Sequence, residues 1–168
     1  DVVCSLPPQC LQELIESDQL PKGYRRRLEN LHEPSGALVL YGAVRRDALP
    51  DPCPGHLQRS NACPGSLFVS ISRDGDGRAP RGQATLIASV FTPTADWCRL
   101  PEPEYQRRKN EMMSLIQAEL NSWLKLPEDA WLHAELATPR GVAGWTGRPN
   151  GMVGGLGQHP SRFGPFGL

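Results

Sequence analysis

The sequence predicts an α+β fold, and three observations carry that expectation. Apolar runs of strand length occur at residues 37–44, 67–72, 84–91 and 131–137, most of them bordered by turn-forming residues. One longer segment, 103–124, repeats apolar residues at three- and four-residue spacing, the period of a helix with one buried face. Glycine and proline number 17 each, well above ordinary usage, so turns and loops must take up much of the chain. These elements predict an α+β domain with a loop-rich, aromatic-bearing end.

Bulk properties exclude several function classes. A chain of 168 residues is about one domain and can bury a real core. Lys plus Arg and Asp plus Glu both total 18, a formal charge of zero, whereas a general nucleic-acid binder needs a basic excess to release counterions. At 39% hydrophobic residues the chain is not disordered as a whole. No apolar stretch approaches the ~20 residues that span a bilayer, and the longest uncharged candidate, 83–95, is broken by Pro93. The chain is not expected to cross a membrane; peripheral contact with membrane lipid is left open. Cys4, Cys10, Cys53, Cys63 and Cys98 are odd in number, form no C-x-x-C pair and follow no secretory segment, the pattern of a reduced, cytoplasmic chain.

In chain order, residues 1–6 read as a buried strand stopped by Pro7 and Pro8, and 9–17 as a short helix with Leu11, Leu14 and Ile15 on one face. Opening in mid-strand suggests a piece cut from a longer protein. Residues 24–31 read as a helix whose Arg25, Arg26 and Arg27 form a solvated face, with anionic lipid headgroups as the alternative. The run 37–44 (ALVLYGAV) is apolar nearly throughout, which predicts burial on both faces. A long loop, 45–65, carries Pro50, Pro52, Pro54 and Pro64. Residues 67–72 alternate as a half-buried strand, Asp74 to Gly77 form a turn, and 84–91 is the antiparallel partner. Asp74 and Asp76 do not make a calcium loop, because its twelfth position is Thr85, which has no carboxylate.

The helix 103–124 opens beside Glu102 and Glu104, which suit its dipole. Met112, Leu115, Ile116, Leu120, Trp123 and Leu124 form its core stripe. Residues 131–137 (WLHAELA) place His133 and Glu135 on one strand face. From Gly141 onward the chain holds nine of its glycines, with Trp145, Phe163 and Phe166 among them, so backbone there lies close to other groups or takes positive φ. No helix pattern follows Gly154-Gly155-Leu156-Gly157, which excludes a dinucleotide fingerprint. His133 and Glu135 are only two ligands, and His32, His56 and His159 are scattered, so no metal is expected. No G-x-S-x-G elbow is present.

One stretch is more distinctive. His133-Ala134-Glu135-Leu136-Ala137-Thr138-Pro139-Arg140, the following Trp145-Thr146-Gly147-Arg148-Pro149-Asn150-Gly151-Met152-Val153-Gly154-Gly155, and Phe163-Gly164-Pro165-Phe166-Gly167-Leu168 closely resemble the C-terminal third of carotenoid desaturases and isomerases. These form the phytoene-desaturase-like branch of the FAD-dependent amine-oxidase superfamily. The resemblance implies a fragment: residues 1–20 as the edge of the FAD-binding domain, 21–145 as the substrate-binding domain, and 146–168 as a Gly-rich return toward the FAD-binding domain. It also implies a mixed or antiparallel substrate-binding sheet with helices on one face, a carotenoid substrate, and FAD in the full-length parent, with the main FAD motifs outside this chain. Thr138, Pro139, Gly154 and Gly155 would line the flavin-facing end of the substrate site. Arg140 would be the catalytic candidate, balancing a reduced flavin or holding a carboxylate, with a structural pairing to Glu135 as its alternative. Alone, the fragment is expected to be inactive and to bind FAD poorly or not at all. A non-catalytic apolar-ligand module is the second expectation, and an interaction domain built on the Pro-rich loop a third.

Overall fold

A computed structural model describes residues 3–16, 18–31, 35–60 and 64–155. His32, Cys63, His159 and the segment 163–168, all named above, lie outside the described residues. The architecture is α+β, built on one antiparallel sheet of five strands. In chain order these are β1 (Ser35–Arg45), β2 (His56–Arg59), β3 (Leu67–Ile71), β4 (Gln83–Pro93) and β5 (Trp131–Ala137), arranged β2-β3-β4-β1-β5 across the sheet. The helices are α1 (Leu11–Leu14), α2 (Lys22–Glu29), α3 (Ala95–Cys98), α4 (Glu102–Leu124) and α5 (Pro139–Thr146).

Strand alternation explains the core. Leu38, Leu40 and Val44 of β1, Leu67, Val69 and Ile71 of β3, Ala84, Leu86, Ala88 and Val90 of β4 and Leu136 of β5 all face one side. There they pack in one cluster with Tyr105, Ile116, Leu120 and Leu124 of α4 and with Trp97 of α3. Gly42 belongs to the same side of β1 because the Trp131 ring lies across it. A Cβ at Gly42 would stand 2.6 Å from that ring. The Trp131 indole N–H donates to Asn121 Oδ1 at 2.7 Å, fastening β5 to α4.

Several expectations need correction. Residues 3–6 form no strand, and Val3 and Leu6 are exposed. A strand needs a neighbour for its backbone groups, and none of the five strands pairs with this segment. The helix expected over 9–17 is only a 3₁₀ turn (Pro8–Cys10) and α1, with Leu14 and Ile15 exposed. β1 is not buried on both faces: the side opposite the core carries Tyr41, which is exposed. The proline-rich loop contains strand β2, and the glycine-rich stretch contains helix α5. On α4, Leu115 stands outside the apolar stripe and is exposed, while Tyr105 belongs to it.

The β3–β4 turn is an ordinary one. Asp76 accepts bonds from the Arg78 side chain and from the backbone N–H groups of Arg73 and Arg78, and its carboxyl is held down to about 2, chiefly by the Arg78 side chain. A lowered folded value means the stabilisation is full above the unfolded value near ~3.9 and disappears as pH falls toward the folded one. Carboxyl-detected NMR should place the Asp76 midpoint near 2, and Arg78→Ala should return it toward the ordinary aspartate value. A midpoint unmoved by that substitution would refute the assignment.

Candidate functional site

The face of the sheet away from α4 has no layer over it among the described residues. The strand register sets its residues in transverse rows. One row runs Glu135, Tyr41, Ile87, Ser70, His56; the next runs Ala137, Val39, Ser89, Phe68, Gln58; Ala37 and Phe91 form a third. His133, Ala43 and Thr85 close the other end. Tyr41 and Phe68 are each 47% exposed, Ile87 38% and Phe91 78%. Aromatic and branched residues left this open amount to an exposed apolar surface. Alanines and serines between the large side chains leave shallow troughs. One, of about 100 Å³, is lined by Ala37, Gln58, Ser66, Phe68, Ser89 and Phe91. The larger polar groups sit at the rims, His133 and Glu135 on β5 and His56 and Gln58 on β2, where His56 stacks on Phe68 at 6.0 Å, while the hydroxyls of Ser70, Ser89 and Thr85 lie between the apolar side chains.

At the end of β5 the distinctive stretch folds into a tight knot. Thr138 is the N-cap of α5, its hydroxyl accepting from Gly141 N at 3.3 Å, which satisfies an otherwise unpaired helix donor. The same hydroxyl meets Tyr105 Oη at 2.9 Å in a buried contact. Pro139 occupies the first helical position and is wedged between two glycines. A Cβ on Gly36 would stand 2.6 Å from its ring, and one on Gly151 would overlap its carbonyl. Arg140 pairs with Glu102 Oε2 at 2.7 Å, donates to Leu100 O at 3.3 Å and lies 4.5 Å from the Tyr105 ring centre. Its carboxylate partner is thus Glu102 at the start of α4, not Glu135. The Gln106 side chain, helped by Arg140, holds the Glu102 carboxyl below its ordinary value.

Beyond the knot, Val153 N donates to Ser35 O at 3.0 Å and aligns the chain with the start of β1. Gly154 takes φ 73°, and nothing approaches Gly154 or Gly155 within 4 Å of where a side chain would begin. Thr138, Pro139 and Arg140 are therefore each engaged by the surrounding elements, Thr138 and Arg140 with α4 and Pro139 with Gly36 and Gly151, whereas Gly154 and Gly155 are open. The five supply no set of free side-chain donors that would hold a flavin. Replacing Tyr105 by Phe should leave the Thr138 cap in place but remove one buried bond, a loss of about 1–2 kcal/mol. Urea unfolding should show a lower midpoint at unchanged slope; an unchanged midpoint would mean the contact contributes nothing.

A second cleft, of about 480 Å³, is lined among others by Arg46, Asp47, Asp51, Cys53, Arg73 and Asp74. Arg46 is engaged there with the Ser72 carbonyl at 2.7 Å. Burial pushes the Cys53 thiol up against the opposing pull of Arg46, so the cleft holds a neutral thiol rather than a nucleophilic thiolate. No group of three or more His, Cys, Asp or Glu among the described residues could hold a metal, and no described helix is long and apolar enough to cross a membrane.

Sequence reasoning missed the open face, although alternation in 67–72 and 84–91 marks half of it. It also missed Tyr105, Glu102 and Gly36 as partners of the Thr138–Arg140 segment, since nothing local links them. No protein-family model, no curated protein and no solved structure matches this chain.

Proposed function

We propose that this chain is the substrate-side part of a FAD-dependent oxidoreductase that desaturates or isomerises a carotenoid, with the polyene lying along the open face of the sheet. The observation that carries the reading is the set of Tyr41, Ile87, Phe68 and Phe91, spread over three neighbouring rows and exposed where burial is normal. A long hydrocarbon gains ~25 cal/mol for each Å² of apolar surface that it covers there. Its lack of polar atoms matches a face whose larger polar groups lie at the rims. The sequence resemblance of residues 133–155 supports the same substrate class.

In this reading FAD is held by other segments of the parent, whose first 20 and last 23 residues here belong with the flavin domain. Its chemistry when bound is hydride exchange with an allylic carbon. The residues of this chain bind the polyene, orient it and exclude water. Arg140 is a positioning residue that ties α5 to the start of α4 through Glu102, while Thr138 and Pro139 fix the direction in which Gly154 and Gly155 leave the sheet. A substrate that partitions into bilayers supports a cytoplasmic chain in peripheral contact with membrane lipid.

The test is binding of a neutral C40 polyene delivered in detergent micelles, read as visible absorption that travels with the protein on gel filtration. Ile87→Asp and Phe91→Asp should each weaken retention about tenfold, because each puts a charge under hydrocarbon. Leu115→Asp, on the far surface of α4, should not. Equal retention by all three variants would sink the reading. The second reading, an apolar-ligand module without catalysis, rests on the same face, which needs no flavin to bind. It is separated by the codons flanking this chain: flavin-binding glycine motifs in frame favour the enzyme, in-frame stops the module.

A further inference from the structure

We propose that the outer edge of β5 pairs with the same edge of a second copy of this chain, antiparallel about a two-fold axis at Ala134. β5 is the last strand of the sheet and bonds only to β1 among the described residues. No other backbone bond among the described residues reaches 131–137, so the outward N–H and C=O groups, which belong to every second residue of the strand, have no described partner. A register shift opposite Ala43 and Val44 interrupts the alternation only at Leu132. Unguarded edges of this length are templates for another strand.

The sequence of the strand selects the occupant. An antiparallel pairing centred on Ala134 places His133 opposite Glu135 of the second copy and Glu135 opposite its His133. Both residues are exposed and share the open side of the sheet. Each imidazole thus supplies N–H donors to a carboxylate, twice by symmetry, and opposite polar partners across strands are favourable. A two-fold contact must be self-complementary in this way.

The other edge lacks these properties. β2 has only four residues, and the same operation would put His56 opposite Arg59, a pair without a carboxylate in which Arg59 is already held by Glu119 at 2.9 Å. Short edge strands are poor templates. Pairing through β5 alone gives a closed dimer with a continuous sheet of ten strands, in which the two open faces lie side by side.

Sedimentation velocity on the full 168-residue chain over a range of concentrations tests this. A monomer–dimer equilibrium is expected. His133→Glu and Glu135→His should each raise its dissociation constant about tenfold or more, since each sets like groups opposite one another at two places. The double variant restores opposite partners and should return to within about threefold of the starting value. Thermal midpoints measured at concentrations where every variant is monomeric should stay unchanged, because both side chains are exposed. A monomer at every concentration up to about 300 µM would overturn the proposal. So would a dimer that neither single variant weakens, or a double variant as weak as the singles.

Discussion

Gly151→Ala is expected to cost about 4 kcal/mol or more. Two penalties combine at this position. Gly151 takes φ 65°, where an L side chain is strained by about 1–2 kcal/mol. In addition, the new methyl would overlap the Pro139 carbonyl, and the overlapping atom is backbone rather than the end of a flexible side chain. Relief requires α5 to leave the sheet, which releases Pro139 from Gly36 and separates Arg140 from Glu102. Hydrogen exchange should therefore lose protection first at the amides of Gly141, Val142 and Val153, which bond to Thr138 and Ser35. The amides of β3 and β4 should lose it only with global unfolding. Gly144→Ala, in the middle of α5 with open space around it, should be neutral or stabilising by up to ~1 kcal/mol. If both variants unfold at the same denaturant concentration, the knot does not hold as described.

Trp97→Ala should be nearly as costly, about 3–5 kcal/mol. Trp97 is 1% exposed, and its indole N–H donates to Thr92 Oγ1 at 3.0 Å. Its ring meets Tyr105 edge-on at 6.4 Å and carries the Arg108 guanidinium at 5.0 Å on its outer side. Truncation opens a cavity where β4, α3 and α4 meet and frees the Tyr105 ring that also supports Arg140. Against a typical stability of about 5–15 kcal/mol, such a loss removes a large part of the total. Trp97→Phe keeps most of the volume and loses the bond to Thr92, so its cost should lie well below that of the alanine variant. Urea midpoints for the pair decide between packing and hydrogen bonding as the main contribution: equal midpoints would assign the effect to the lost bond.

Both predictions concern residues whose importance was not readable locally. Gly151 stood among nine glycines in the tail, and no spacing rule marks which of them faces a backbone. Trp97 follows a strand in a segment without periodicity, and its burial depends on α4 returning over β4. Arg140 shows the same limit. Its charge invited a partner, but Glu135, five residues earlier, and Glu102, 38 residues earlier, are distinguished only by the fold. Glu135 lies on the open side of β5, while α4 begins beside α5.

Other features followed from the chain itself. The periods of two and 3.6 residues placed β3, β4, β5 and α4 within a residue or two, because alternation and helical spacing are written in consecutive residues. The turn at Asp74–Gly77 was equally local, since Asp76 bonds to groups within three positions of itself. The α+β class follows from those elements. What tertiary structure alone decided is which side of each strand is covered. β1 is apolar on both sides, and its sequence does not distinguish Leu40, packed under α4, from Tyr41, left exposed. A hydrophobic pattern states which surface gains by leaving water; the arrangement of the remaining elements determines whether anything in the chain covers it.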